Sequence, residues 1–165
     1  MDQKLTDRAL PRLEVVLVEP EIPPNTGNVA RLCAATRSRL HLVHPLGFKT
    51  DDRHLKRAGL DYWDKVEVVH HEDIHAFLDY SSGRPLLLFS KRAPRPYTKA
   101  PYDPGAFLLF GKETQGLPQW LIKRHEKSCF SIPMWGEVRS LNLSTAVGIV
   151  VYEGYRRIMT GTGLF

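Results

Sequence analysis

The feature that most restricts the fold is a recurrence of short, largely apolar runs without strict alternation, each followed by a segment of helical character. Residues 13–19 read LEVVLVE, 40–43 LHLV, 85–89 PLLLF and 106–110 AFLLF, with weaker runs at 66–69 (VEVV) and 129–132 (CFSI). A strand with one face in water alternates apolar and polar residues, whereas a strand covered on both faces does not have to. The intervening segments predict helices over 25–36, 51–58, 72–78, 117–124 and 144–159. Strand and helix by turns predict an α/β fold: a mostly parallel sheet flanked by helices. In such sheets ligands collect beyond the C-terminal ends of the strands. The polar clusters at 19–28, 90–95, 111–116 and 133–142 are expected there.

At 165 residues the chain is most simply one domain over 13–160, between a tail at 1–12 and a short tail at 161–165. Cys33 and Cys129 form no CxxC pair, so neither a disulfide framework nor a zinc knuckle is indicated. The charged N-terminus lacks the apolar core of a signal peptide, and no run approaches membrane-spanning length. A cytoplasmic location without a membrane partner is the expectation. The net charge of +5 favours a polyanionic partner.

The stretch 132–157 promises a rigid site. Pro133 ends the strand run, and a polar loop with Trp135, Glu137, Arg139 and Ser140 follows. Asn142 and Ser144 then stand where short polar side chains can accept hydrogen bonds from the free N–H groups of a starting helix. That helix carries Ala146, Val147, Ile149, Val150, Val151, Tyr152 and Tyr155, apolar almost all round. Burial against both a core and a partner subunit is expected of it.

Other constellations admit two readings. In Asn25-Thr26-Gly27-Asn28-x-x-Arg31, Arg31 could hold a phosphate or ribose hydroxyl near the helix start, or be a solvated cation beyond a helix cap. Gly111-Lys112-Glu113-Thr114-Gln115-Gly116 suggests a loop wrapped around something flat. It is not a P-loop, because the spacing from Gly105 to Gly111 is one residue too long and Glu113 replaces the hydroxyl residue that would hold magnesium. His71-Glu72-Asp73-Ile74-His75 matches the zinc-protease pattern, but it falls in the first turn of a short predicted helix, where Glu72 and Asp73 suit the dipole. Lys91, Arg92, Arg95, Tyr97 and Lys99 offer cations for phosphates and a ring for an unpaired base, and Arg53, Lys56 and Arg57 a second basic surface. The serines fit no nucleophile elbow.

Four stretches together match a known pattern: EPEIPPNTGNVARLCA at 19–34, RAGLDY at 57–62, FGKETQGLP at 110–118, and IPM followed by RSLNLSTAV at 139–147. In this order they resemble the SPOUT-class RNA 2′-O-ribose methyltransferases, over roughly residues 13–158. Within that class the likeness is to enzymes acting on cytidine or uridine at the wobble position, 34, of tRNA. The resemblance implies an α/β-knot whose C-terminal part forms a deep trefoil knot, although knots are otherwise very rare. It implies a homodimer packed through the first and last helices, S-adenosyl-L-methionine as methyl donor with S-adenosyl-L-homocysteine as product, the tRNA anticodon stem-loop as partner, and no metal. Donor-binding positions of the class fall on Leu88, Gly111, Ile132 and Ser140, with Leu141 and Leu143 close by. The catalytic role falls on Arg31, with Asn25, Glu113 and Asn142 fixing Arg31 and the ribose, and Arg139 and Tyr152 in support. A guanidinium is almost always protonated, so Arg31 is read as stabilising a developing alkoxide rather than as a simple base. The 134–138 segment MWGEV departs from the class member most in view, which leaves the identity of the tRNA open. Remaining alternatives are 2′-O-methylation at another tRNA or an rRNA position, a knotted RNA-binding protein without activity, and a zinc hydrolase built on His71 and His75.

Overall fold

The computed structural model describes residues 11–50, 53, 60–160 and 162–163. The helix expected over 51–58, most of both tails and part of the RAGLDY motif lie outside the described residues. Six strands form one sheet: β1 (Glu14–Val18), β2 (Arg39–Val43), β3 (Val68–His71), β4 (Leu86–Phe89), β5 (Phe107–Phe110) and β6 (Cys129–Phe130). Their order across the sheet is β3-β2-β1-β5-β4-β6, and each neighbouring pair is parallel. Among the described residues four helices accompany them: α1 (Pro23–Thr36), α2 (Ile74–Tyr80), α3 (Gln119–Arg124) and α4 (Leu143–Ile158).

The largely apolar runs have the expected cause. Successive strand side chains point to opposite faces, and both faces are covered. Val15, Leu17, Leu40, Leu42, Leu108 and Phe110 pack in one core with Val29 and Cys33 of α1 and Val147, Val150, Val151 and Tyr155 of α4. Val16, Val18, Leu88, Phe107 and Leu109 pack in the other with Ile74 and Phe77 of α2 and Leu121 of α3. Gly154 lets α4 lie close on the sheet, since a Cβ there would come within 2.8 Å of Leu13 Cδ1. Burial pushes the Cys33 thiol up, leaving it a packing group.

Boundaries differ from expectation where local chemistry intervenes. α1 starts two residues before Asn25, with prolines in its first turn, where the missing N–H would have had no helical partner anyway. β3 and α2 each begin two residues later than the sequence suggested, because Asp73 is the cap of α2: its carboxylate accepts from the Ala76 amide at 2.8 Å. β6 has only two residues, and Ser131 makes a separate bridge to Pro96. Within the single chain the last helix buries one side against the core and leaves the other open. Tyr152 is 50% exposed, and Thr145 and Arg156 also face out.

Candidate functional site

Four loops meet beyond the C-terminal ends of β1, β4, β5 and β6. Glu19, the first residue after β1, adopts a left-handed backbone (φ 52°), a conformation that costs about 1–2 kcal/mol for a residue with a Cβ. Its amide donates to the Val43 carbonyl at 2.9 Å, and its carboxylate accepts from Lys112 Nζ at 2.9 Å. That bond holds the Lys112 pKa above the ordinary lysine value, against a smaller effect of desolvation. Lys112 occupies the second place after β5, so two neighbouring strands end in opposite charges.

The loop from Gly111 to Leu117 folds into a tight hairpin. Lys112 and Gly116 bridge in antiparallel fashion, the Gly116 amide donates to the Lys112 carbonyl at 2.8 Å, and Gly116 has φ 70°. A Cβ on Gly111 would lie 1.9 Å from the Gly116 carbonyl carbon and 2.0 Å from the Leu117 nitrogen. The glycine is therefore required by closure of the hairpin itself.

Glu113 leaves this hairpin to clamp the start of α1. Its carboxylate accepts from the Glu21 amide at 2.8 Å, the Ile22 amide at 3.1 Å and Asn25 Nδ2 at 3.1 Å. In return Thr114 Oγ1 donates to the Glu21 carboxylate at 2.9 Å. Asn25, only 6% exposed, accepts at Oδ1 from Asn142 Nδ2 at 2.9 Å. Asn142 Oδ1 accepts in turn from the Ser144 and Thr145 amides at 2.9 and 3.3 Å, capping α4. One hydrogen-bonded chain thus joins the hairpin, the start of α1 and the start of α4. The loop before α4 is anchored separately: Lys91 Nζ donates to the Arg139 carbonyl at 3.0 Å, and the Ser131 amide to the Arg95 carbonyl at 2.8 Å.

These loops enclose a cleft of about 950 Å³, at the upper end of the range for small-molecule sites. Asn25, Gly111, Glu113, Ile132, Ser140, Leu141, Asn142 and Leu143 all line it. Leu88 does not; it is fully buried in the core shared with α2 and α3, and the next residue, Phe89, reaches the cleft instead. The one-residue offset follows from strand alternation. Arg31 stands apart as well. From Asn25 to Arg31 a helix turns by about 240° after whole turns are removed, so the two side chains leave α1 in different directions. Arg31 is exposed and its guanidinium lies 5.0 Å from the centroid of the Tyr62 ring. Arg139 lines the cleft and Tyr152 does not.

Sequence reasoning passed over Glu19, Lys91, Arg92 and Lys112 as individual cleft residues. The Glu19–Lys112 pair had a readable signal in its charges just past two of the strongest strand runs. The remaining polar motif separates in space. His71 Nε2 lies 2.9 Å from His41 Nδ1, while His75 stacks on Trp120 with ring centroids 5.5 Å apart. The two imidazoles of the zinc-protease pattern are thus engaged with different partners. Among the described residues no three His, Cys, Asp or Glu side chains cluster as a metal site would.

The cleft fits a nucleoside-bearing methyl donor in chemistry as well as size: Ile132, Leu141 and Leu143 supply apolar walls beside the polar groups of Ser140, Asn142 and Glu113. Comparison with known proteins points the same way. The model of the SpoU rRNA Methylase family matches residues 12–152. The tRNA (cytidine(34)-2′-O)-methyltransferase of Yersinia pestis is 46% identical over 152 residues, covering 88% of this chain and 94% of that one. The Escherichia coli K12 protein of the same name is 44% identical over 147 residues, with the same two coverages. A solved structure described as giving insights into the 2-OH methylation of C/U34 on tRNA superimposes with a TM-score of 0.86 at 46% identity, over 91% of this chain and 97% of that one. AviRb of Streptomyces viridochromogenes, solved in complex with AdoMet, shares the fold at 22% identity and a TM-score of 0.78, over 94% of this chain and 61% of that one. On these grounds the chain belongs to the SpoU rRNA methylase family.

Proposed function

We propose that this enzyme transfers a methyl group to the ribose 2′-hydroxyl of nucleotide 34, a cytidine or uridine, in the anticodon loop of tRNA. The observation that carries the reading is the convergence of Gly111, Ile132, Ser140, Leu141 and Leu143 on one cleft at the strand ends, braced by the Glu113–Asn25–Asn142 chain. S-adenosyl-L-methionine, when bound, supplies an electrophilic methyl group on a sulfonium centre. Ile132, Leu141 and Leu143 would hold its apolar parts, with Gly111 and Ser140 beside them and Leu88 supporting the wall from behind.

The ribose hydroxyl is a poor nucleophile at neutral pH and needs help to lose its proton. Arg31, permanently cationic, would orient the phosphate beside the target ribose and stabilise the negative charge growing on the 2′ oxygen, while the proton leaves to a phosphate oxygen or water. Glu113, Asn25 and Asn142 would keep the floor of the site rigid, with Arg139 assisting. Since Arg31 does not line the cleft of its own chain, its role fits a homodimer packed through α1 and α4, in which each copy serves the cleft of the other. The half-exposed Tyr152 on the outer side of α4 supports that packing. A trefoil knot formed by the C-terminal part, and a cytoplasmic location, complete the reading.

The test is incubation with labelled methyl donor and bulk tRNA, followed by nucleoside mapping. 2′-O-methylated cytidine or uridine at position 34 is expected. Label confined to another tRNA position or to rRNA, or no transfer at all, would overturn the reading.

A further inference from the structure

Trp135 is 92% exposed, in a chain whose other large apolar side chains singled out as exposed range from 42% to 60%. A tryptophan left this open normally has an occupant, because full burial of such a ring is worth several kcal/mol. It sits at the tip of the loop between β6 and α4, next to Met134, which lines the cleft. Four residues on, Arg139 lines it too, and its carbonyl is held by Lys91. Val138, 60% exposed, is a second open apolar side chain in the same loop. Lys91, Arg92 and Arg139 border the same cleft, where Lys112 is paired with Glu19, so the segment that carries Trp135 adjoins a cleft with an excess of cations.

We infer that Trp135 is a stacking platform for an unpaired anticodon-loop base adjacent to nucleotide 34, and that it positions the RNA while the cleft acts on the neighbouring ribose. The inference rests on the reading of the cleft as a site for tRNA methylation. Three observations select a base as the occupant. The surrounding cations suit phosphates on either side of a stacked base. An aromatic ring accepts any base through its π-face. The loop is anchored at both ends, by the Ser131–Arg95 bond and the Asn142 cap, so the ring is carried on a segment tied to the cleft. A second copy of the chain is the rival occupant, and it would seek a larger apolar surface than one ring and one valine.

The test compares wild type, Trp135→Ala and Trp135→Phe on an anticodon stem-loop RNA. Stacking on an aromatic side chain is worth about 1–3 kcal/mol per base. Trp135→Ala should therefore lower kcat/KM for RNA by roughly 5- to 150-fold, through KM rather than kcat, with the dissociation constant for S-adenosylhomocysteine unchanged. Trp135→Phe should recover most of the loss. In RNAs carrying 2-aminopurine at position 33 or 35, one of the two fluorophores should be quenched on binding wild type and not on binding Trp135→Ala. Unchanged kcat/KM in Trp135→Ala, or no difference in quenching at both positions, would overturn the inference while leaving position 34 methylation standing. Conversion of a wild-type dimer to monomers by Trp135→Ala, seen in sedimentation, would assign the ring to the subunit interface and likewise overturn it. Failure of wild type to methylate nucleotide 34 would instead remove the underlying reading, and the inference with it.

Discussion

Two of the hydrogen-bonded polar chains among the described residues contrast in their surroundings, and their difference separates support from chemistry. One links Glu113, Asn25 and Asn142 and borders an open cleft. The other links Glu14, His41 and His71 inside the sheet's second face: His41 Nε2 lies 2.8 Å from Glu14 and its Nδ1 2.9 Å from His71. All three of these residues are at most 6% exposed. Burial pushes the Glu14 carboxyl up, but the hydrogen bond with His41 and the charges of Arg39 and His41, with a further bond from Arg84, more than reverse it, and its pKa lies below the ordinary carboxylate value. Burial and the neighbouring His41 and His70 drive His71 down to about 4. Perturbed titration alone would have singled out this second chain as a functional site. It is walled by Phe77, Tyr80 and Phe107 instead of a cleft, so the perturbation reports a satisfied buried network.

The sharpest way to break this contrast is at the chemistry. Arg31→Ala should lower kcat by about 100- to 1,000-fold, the usual loss when a donor to a developing oxyanion is removed, with donor affinity unchanged in calorimetry. Mixing Arg31→Ala chains with Ile132→Glu chains should restore activity if each copy of a dimer serves the other's cleft. Transfer that survives Arg31→Ala would remove Arg31 from catalysis. Next in size, Gly111→Ala forces a Cβ into the hairpin backbone and should destabilise the protein by about 1–3 kcal/mol or more, with donor binding lost in parallel. Denaturant titration and calorimetry measure the two effects.

The buried chain should respond to acid and leave catalysis alone. Because the fold depresses the His71 pKa below its ordinary 6.5, the stability tied to its neutral form is complete above about pH 6.5 and is lost as pH falls from there through about 4. Glu14, also depressed, adds a loss in the same direction as pH falls below the ordinary carboxylate range. His71→Gln should flatten the wild-type decline between pH 6.5 and 4 by about 1–3 kcal/mol and leave kcat at neutral pH unchanged. Melting temperature against pH reads this directly. Smallest in stability is Asn142→Ala, about 1 kcal/mol for a lost helix cap. Its activity should fall further than that, since Asn25 loses its partner in the same stroke.

The fold was legible in the sequence because both-sided burial leaves largely apolar strands without alternation, as at 13–19, 85–89 and 106–110. The cleft residues were legible chiefly through the four stretches that resemble a known class, since glycines and amides in loops have no periodicity to read. Leu88 and Arg31, which do not line the cleft of the single chain, show what reading along the chain leaves out. Which face of a strand a residue takes depends on register, and whether a helical arginine shares the direction of Asn25 depends on the turn of about 100° per residue between them, which a motif read along the chain does not display. The Glu14–His41–His71 chain was invisible, because its members come from three strands brought together only by parallel pairing.

The central claim is that the methyl donor sits between the 111–117 hairpin and the 132–143 segment. A crystal structure with S-adenosylhomocysteine tests it most directly. The account predicts the product in that cleft, against Ile132, Leu141 and Leu143, with the Glu113–Asn25–Asn142 chain intact beneath it. Product bound at any other surface, with this cleft left empty, would contradict it.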